Sequence, residues 1–187
     1  MPKHWKQKQS AIRHYDRTAE TYDQQYMEEQ NLKITAALKI LQKPVDESAV
    51  VLDAGCGTGL SFPLIAVKAK QIVGVDISAH LLRKAKTKAE ANTALIQTDA
   101  DFLPLKTDMF THAFAFTLLQ NTPDPRSVIE EIKRVTRRDA ALIMTGLKKH
   151  FTQATFIRLL KNAQLEVLSL KTDDRLKDFV AVCRKRL

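Results

Sequence analysis

The 187-residue sequence predicts an α/β fold in which a mostly parallel sheet is wound in both directions and carries helices on both faces. Three observations predict it. Apolar runs of strand length alternate with longer segments of helical periodicity; the first run, Val50-Val51-Leu52, ends in Asp53 and a glycine turn; and the last two runs are joined by the polar turn Thr172-Asp173-Asp174, short enough for an antiparallel pair.

Residues 1–30 mix Lys, Gln, His and Tyr with few aliphatics, which predicts a helical arm ordered by docking on a domain of residues 31–187. Trp5, the single tryptophan, is expected to anchor that arm. Leu32, Ile34, Ala37, Leu38 and Leu41 then recur at helical spacing until Pro44 ends the pattern. Val50 to Leu52 suit a strand buried on both faces. A crossover helix follows over Leu60 to Ala69, with Pro63 tolerated in its first turn. Gln71 to Asp76 is the second strand, and Ser78 should cap a helix over Ala79 to Ala91 that turns Leu81, Leu82 and Ala85 inward. Ala94 to Gln97 completes a βαβαβ unit, whose right-handed crossovers make it half of a doubly wound sheet. The second half reads as a strand over Phe110 to Leu119, a helix from Pro125 with Val128, Ile129, Ile132 and Val135 on one face, and a strand over Ala140 to Thr145. A helix over Phe151 to Asn162 and strands over Leu165 to Leu170 and Phe179 to Arg184 close the chain.

Hydrophobic content of 44% with 27% charged residues is ordinary for a globular protein. No apolar run approaches the roughly 18 residues of a membrane span, and the polar, basic N-terminus is no secretory signal, so cytoplasmic residence is expected and no membrane partner. Cys56 and Cys183 lie far apart and read as reduced thiols, and the five histidines show no paired metal-ligand spacing, so no metal is expected. The net charge of +9 has two readings, a footprint for RNA or another polyanion and a solvated face such as that of Lys84, Lys86 and Lys88.

The chemistry starts at Asp53-Ala54-Gly55-Cys56-Gly57-Thr58-Gly59. Glycines at alternate positions let a ligand approach the backbone, and Asp53 stands at a strand's carboxyl end, where open α/β sheets bind ligands. Asp76 ends the next strand about 20 residues later, the place of a ribose-binding acid. The spacing is G-x-G-x-G and not the G-x-G-x-x-G of dinucleotide sites, and an acid inside the motif repels a pyrophosphate. A positively charged nucleoside suits it better.

With Val75-Asp76-Ile77-Ser78 and Thr98-Asp99-Ala100-Asp101-Phe102-Leu103-Pro104 following in order, the chain resembles the class I S-adenosylmethionine-dependent methyltransferases. Tyr15-Asp16-Arg17-Thr18-Ala19-Glu20-Thr21-Tyr22-Asp23 is similar to the tyrosine-rich segment of the quinone-biosynthesis branch. The resemblance implies a Rossmann-like sheet of seven strands with an antiparallel terminal hairpin, and S-adenosyl-L-methionine as cofactor. It also implies roles: Asp53 orients the methionine end, Gly55, Gly57 and Gly59 admit the cofactor, Asp76 binds ribose, Ile77 packs on adenine, and Asp99 accepts from the adenine amine beside Ala100. Tyr15 and Tyr22 either close over the methionine moiety or anchor the arm.

Thr117, Gln120 and Asn121 stand where this fold meets the methyl acceptor, Thr117 also beside the cofactor, but none is assigned as catalytic. The Asn-Pro-Pro-Tyr signature of amide and exocyclic-amine methyltransferases is absent there. Between strand five and strand six there is room for a helix and little else, which leaves no inserted roof. The expectation is therefore an open site for RNA or protein, with a small zinc-binding activator subunit as a candidate partner. The alternatives are a small-molecule methyltransferase with the N-terminal arm as lid, and a cofactor-binding subunit active only with a partner.

Overall fold

The computed structural model describes residues 3–186, so residues 1–2 of the expected arm and residue 187 of the expected domain lie outside the described residues. Helices α1 (Lys3–Thr18) and α2 (Tyr22–Lys39) precede β1 (Val50–Ala54). The first half of the sheet continues through α3 (Phe62–Ile65), β2 (Gln71–Asp76), α4 (Ala79–Lys86) and β3 (Thr93–Gln97). The second half comprises β4 (Phe110–Ala115), a 3-10 turn at Leu119–Asn121, α5 (Pro125–Val135), β5 (Thr136–Leu147), α6 (Gln153–Asn162), β6 (Leu165–Lys171) and β7 (Asp178–Lys185). The seven strands form one sheet in the order β3-β2-β1-β4-β5-β7-β6. β7 runs antiparallel to β5 and β6, and the other pairings are parallel. The expected doubly wound sheet with its terminal hairpin is the observed one.

Each face of the sheet buries its own apolar cluster. Val128, Ile129 and Ile132 of α5 with Phe156 and Leu160 of α6 cover Leu52 and Leu142 on one side. Ile34 and Ala37 of α2, Phe62 and Ile65 of α3, and Leu82 and Ala85 of α4 cover Val51 and Ile143 on the other. Consecutive β1 residues thus feed opposite cores, which is why their run is apolar without alternation.

Local signals explain most boundaries. Ser78 caps α4 by accepting from the Leu81 amide at 3.1 Å, and Asp124 caps α5 ahead of Pro125. Thr152 and Thr155 form a reciprocal capping box on α6, which starts that helix at Gln153 instead of Phe151. Several expected boundaries shift. α4 ends at Lys86 and not at Ala91, because Asn92 Nδ2 donates to the carbonyls of Ala66 and Ala69 at 2.9 and 2.8 Å and ties the following loop to the turn after α3. β4 ends at Ala115, because Thr117 adopts φ of 55° and turns the chain. Leu32 belongs to α2 but is 52% exposed, so it lies off the apolar stripe of that helix.

The two N-terminal helices differ in how they are held. α2 buries Gln30, Lys33, Ile34 and Ala37. No side chain described in α1 is fully buried, and Trp5 is 41% exposed, so it does not anchor the arm in the core. What fastens α1 and the start of α2 is polar. Asp16 accepts from Ser78 Oγ at 2.6 Å and pairs with His80, Glu20 pairs with Lys84, and Asp23 pairs with Lys88 at 2.7 Å.

Candidate active site

β1 has β2 on one side and β4 on the other, so the chain reverses its winding direction there and leaves a crevice beyond the carboxyl ends of these strands. Asp53 and Asp76 stand at two of those ends, in strands whose registers pair Asp53 with Gly74 and Ala54 with Val75. A pocket opens there. Gly55, Gly57, Asp76 and Ile77 form one wall, Asp99 and Ala100 the end beyond β3, and Thr117, Leu118 and Asn121 the wall after β4. Lys8, Ala11 and Tyr15 of α1 and Tyr22 of α2 add to the lining. A smaller pocket adjoins it and shares Tyr22, Gly55, Gly57 and Phe116, and Asp53 lines this one with Ser61 and Gln30.

The structure therefore brings together Tyr15, Tyr22, Asp53, Gly55, Gly57, Asp76, Ile77, Asp99, Ala100, Thr117 and Asn121 in two joined cavities. Gly59 lines neither. It has φ of 75°, and a Cβ there would come within 2.6 Å of the Phe62 ring, so its place is in the packing of the turn. Gln120 lines neither cavity as well, and its amide atoms are buried without a hydrogen-bond partner.

Gly57 shows how the turn serves the pocket. With φ of 56° and no atom within 4 Å of where a Cβ would stand, it leaves open space into which any other residue would project, while its N–H donates to Asp76 Oδ2 at 2.9 Å. Asp76 Oδ1 accepts from the Ser78 amide at 2.8 Å. These bonds fix the carboxylate against the glycine turn, yet burial still raises its pKa above the ordinary value. Asp53 is 2% exposed, and burial pushes its pKa up to about 7, against the opposing hydrogen bond from Ser61 Oγ and with a further contribution from the charge of Asp76. Among the described residues neither acid has a cationic side chain within 4 Å. Two carboxylates, Asp53 buried and Asp76 half-buried, without a counter-charge make the cavities fit a cationic ligand.

The tyrosines are the opposite case. Tyr15, Tyr22 and Tyr26 form a chain of ring contacts with centroids 6.3 and 4.9 Å apart. Burial raises the pKa of Tyr15 to about 12 and raises that of Tyr22 too, with Asp76 contributing to both shifts. At neutral pH they are O–H donors and apolar walls, and not bases.

Sequence reasoning missed four residues here. Lys33 is fully buried in α2, 2.7 Å from the fully buried Asp178 of β7, and its ammonium donates to Thr117 Oγ1 at 2.6 Å. Gln30 Nε2 donates to the same hydroxyl at 3.1 Å. Thr117, at positive φ, is thus held by α2, and its own amide donates to Thr145 Oγ1 at 2.8 Å. Lys8 pairs with Asp99 at 2.7 Å and with Asp101. A lysine in the buried stripe of a helix was the available signal for Lys33, whereas nothing in sequence links Lys8 to acids 91 and 93 positions away.

The methyltransferase domain model matches residues 52–144, from within β1 into β5. The chain carries a class I S-adenosylmethionine-dependent methyltransferase domain. An uncharacterized protein of Methanocaldococcus jannaschii is 31% identical over 76% of this chain and 53% of its own length. The malonyl-[acyl-carrier protein] O-methyltransferase of Hamiltonella defensa is 30% identical over 71% of this chain and 50% of its own. The chain spans about half the length of the curated relatives it matches. Among solved structures, the complex of the Haloferax volcanii Trm112 methyltransferase activator and its methyltransferase provides a chain with TM-score 0.79 at 16% identity, covering 92% of this chain and 98% of that one. This likeness is one of fold. The family binds S-adenosylmethionine, and the uncompensated acids of the methyltransferase domain suit that sulfonium and ammonium cation.

Binding should carry the signature of Asp53. A cationic ligand favours its ionised form, so affinity for S-adenosylmethionine should fall as pH drops below about 7, by up to about tenfold per unit. Without ligand the sign for folding is the reverse, because a raised carboxyl pKa stabilises the fold at low pH and that contribution is lost as pH rises through about 7. Calorimetric titrations at several pH values read the first effect, and an affinity indifferent to pH would remove Asp53 from the cation's surroundings.

Proposed function

We propose that the chain transfers a methyl group from S-adenosylmethionine to a small acceptor, or to a small group carried on a larger molecule, under a roof made by α1. The observation that carries this reading is the lining itself: Lys8, Ala11 and Tyr15 of α1 line the same pocket as Asp76 and Ile77. No inserted segment follows β5, as the sequence implies, and α1 supplies part of the lining of the pocket that an inserted roof would otherwise cover. That lining favours the alternative with the arm as lid over an open site for RNA or folded protein.

The cofactor, when bound, supplies an electrophilic methyl group on a sulfonium. Asp76 would hold the ribose, Asp99 the adenine amine, and Asp53 the cationic methionine end. Tyr22 and Phe116, which line both cavities, and Tyr15 in the first would exclude water, and Asn121, whose Nδ2 donates to the Thr117 carbonyl at 2.7 Å, fixes the turn on the acceptor side. Direct displacement needs alignment and dryness more than proton transfer, which agrees with tyrosines held protonated.

The test is to incubate the chain with labelled methyl donor and a fractionated extract, with and without ribonuclease and protease. Label recovered as a small product that survives both digestions supports the proposal. Label lost to ribonuclease would sink it and restore the reading in which the net charge of +9 serves RNA. Label that appears only after a co-purifying small subunit is added would assign an activator partner.

A further inference from the structure

The end of the pocket expected to take adenine is held by a residue of the roof. Lys8, with its side chain 14% exposed, reaches from α1 to Asp99 at 2.7 Å and to Asp101, whose carboxylates lie on one loop after β3. We infer that Lys8 is a positioning residue of the cofactor site: it fastens α1 over the pocket and changes partners as the nucleoside enters, keeping Asp101 while Asp99 is released. The inference rests on the cofactor reading of the pocket.

The geometry supports it in three ways. Lys8 faces two acids, so it can yield one and stay fastened by the other. Two neighbouring carboxylates without an ammonium between them would repel, which makes the pair dependent on Lys8. α1 has no fully buried described side chain, so its closure depends on polar fasteners, of which Lys8 is the one that touches the pocket. A helix held in this way opens at lower cost than the core beneath it. Burial works against the charge of Lys8, but its hydrogen bonds to Asp101 and Asp99 outweigh that and raise its pKa, so the fastener persists through neutral pH.

The other charged groups near this helix define the control. Asp16 meets Ser78 and His80, and Glu20 meets Lys84, both away from Asp99, so loosening them should leave the adenine end fastened. Trp5 lies one helical turn before Lys8 and is the single tryptophan, so its fluorescence reports on α1 directly.

The experiment is stopped-flow binding of S-adenosylhomocysteine followed through Trp5, on the wild type, Lys8→Ala, Lys8→Arg and Glu20→Gln. In Lys8→Ala, association and dissociation should both accelerate by about three- to tenfold, a change of the order of one partly exposed ion pair. Lys8→Arg should restore near wild-type rates, and Glu20→Gln should leave them unchanged. Raising salt from about 0.05 to about 0.5 M should accelerate wild-type association through screening and leave Lys8→Ala flat. A wild type that binds with rates indifferent to Lys8→Ala overturns the inference alone. A wild type that shows no binding by fluorescence or calorimetry overturns the cofactor reading beneath it.

Discussion

Lys33→Met is expected to destabilise the fold by about 3–5 kcal/mol, the cost of leaving one member of a buried pair without its partner. Asp178 bears that loss in full. Burial raises its pKa and Lys33 counters the shift at 2.7 Å, while neither carboxylate oxygen has a well-directed hydrogen bond from another group. In a domain of this size the loss corresponds to a fall of roughly 6–20 °C in melting temperature. The sign of its pH dependence follows from the same carboxyl. Without Lys33 the folded-state pKa of Asp178 rises further, so the native state holds its proton, and stability is lost as pH rises through that raised value. The deficit should therefore be larger at pH 8 than at pH 5. Replacing both residues, Lys33→Met with Asp178→Leu, should recover much of it, because the buried charge is then gone. A single variant that melts with the wild type would show that the pair is not buried in solution. Its consequence for the site is separate from stability: Thr117 loses its ammonium donor, and the turn after β4 is held by Gln30, Thr145 and Asn121.

The second large effect is on binding. Asp76→Ala should weaken S-adenosylmethionine binding by about 1.5–3 kcal/mol, the scale of hydrogen bonds to an ionised group. The same substitution removes the acceptor for the Gly57 and Ser78 amides, so the glycine turn loosens as well. Asp76→Asn separates the two contributions, since it keeps oxygen at one position and lacks the charge. Calorimetry on the three proteins reads the order wild type, Asn, Ala in decreasing affinity. Equal affinities would take Asp76 out of the site, and binding of nicotinamide dinucleotides by the wild type would reverse the choice of ligand class.

How much of this is legible in the sequence follows from the range of the interactions. Asp53, the alternate glycines and Asp76 can be read because each sits at a boundary that sequence encodes locally: an apolar run ends, a turn needs residues without Cβ atoms, and a second run ends in an acid. Parallel packing then carries those boundaries to neighbouring positions in space, with no further information needed. Ser78 as a cap and the inward face of α5 are legible for the same reason, since caps and stripes are written within four residues of themselves.

The sequence by itself determined the fold class, the glycine turn and the acids that end the first two strands. The tertiary structure alone decided what covers them. In sequence Lys33 and Lys8 are part of a basic total, yet one is buried against Asp178 and the other fastens a helix to Asp99 and Asp101. Gln120 is a candidate by position but lines no cavity, while Thr117 is bound by α2. The physical reason is that a charged side chain has no periodicity to betray its partner. Its place is set by which distant surface the chain brings within a few ångströms, and that is settled only when the arm has docked.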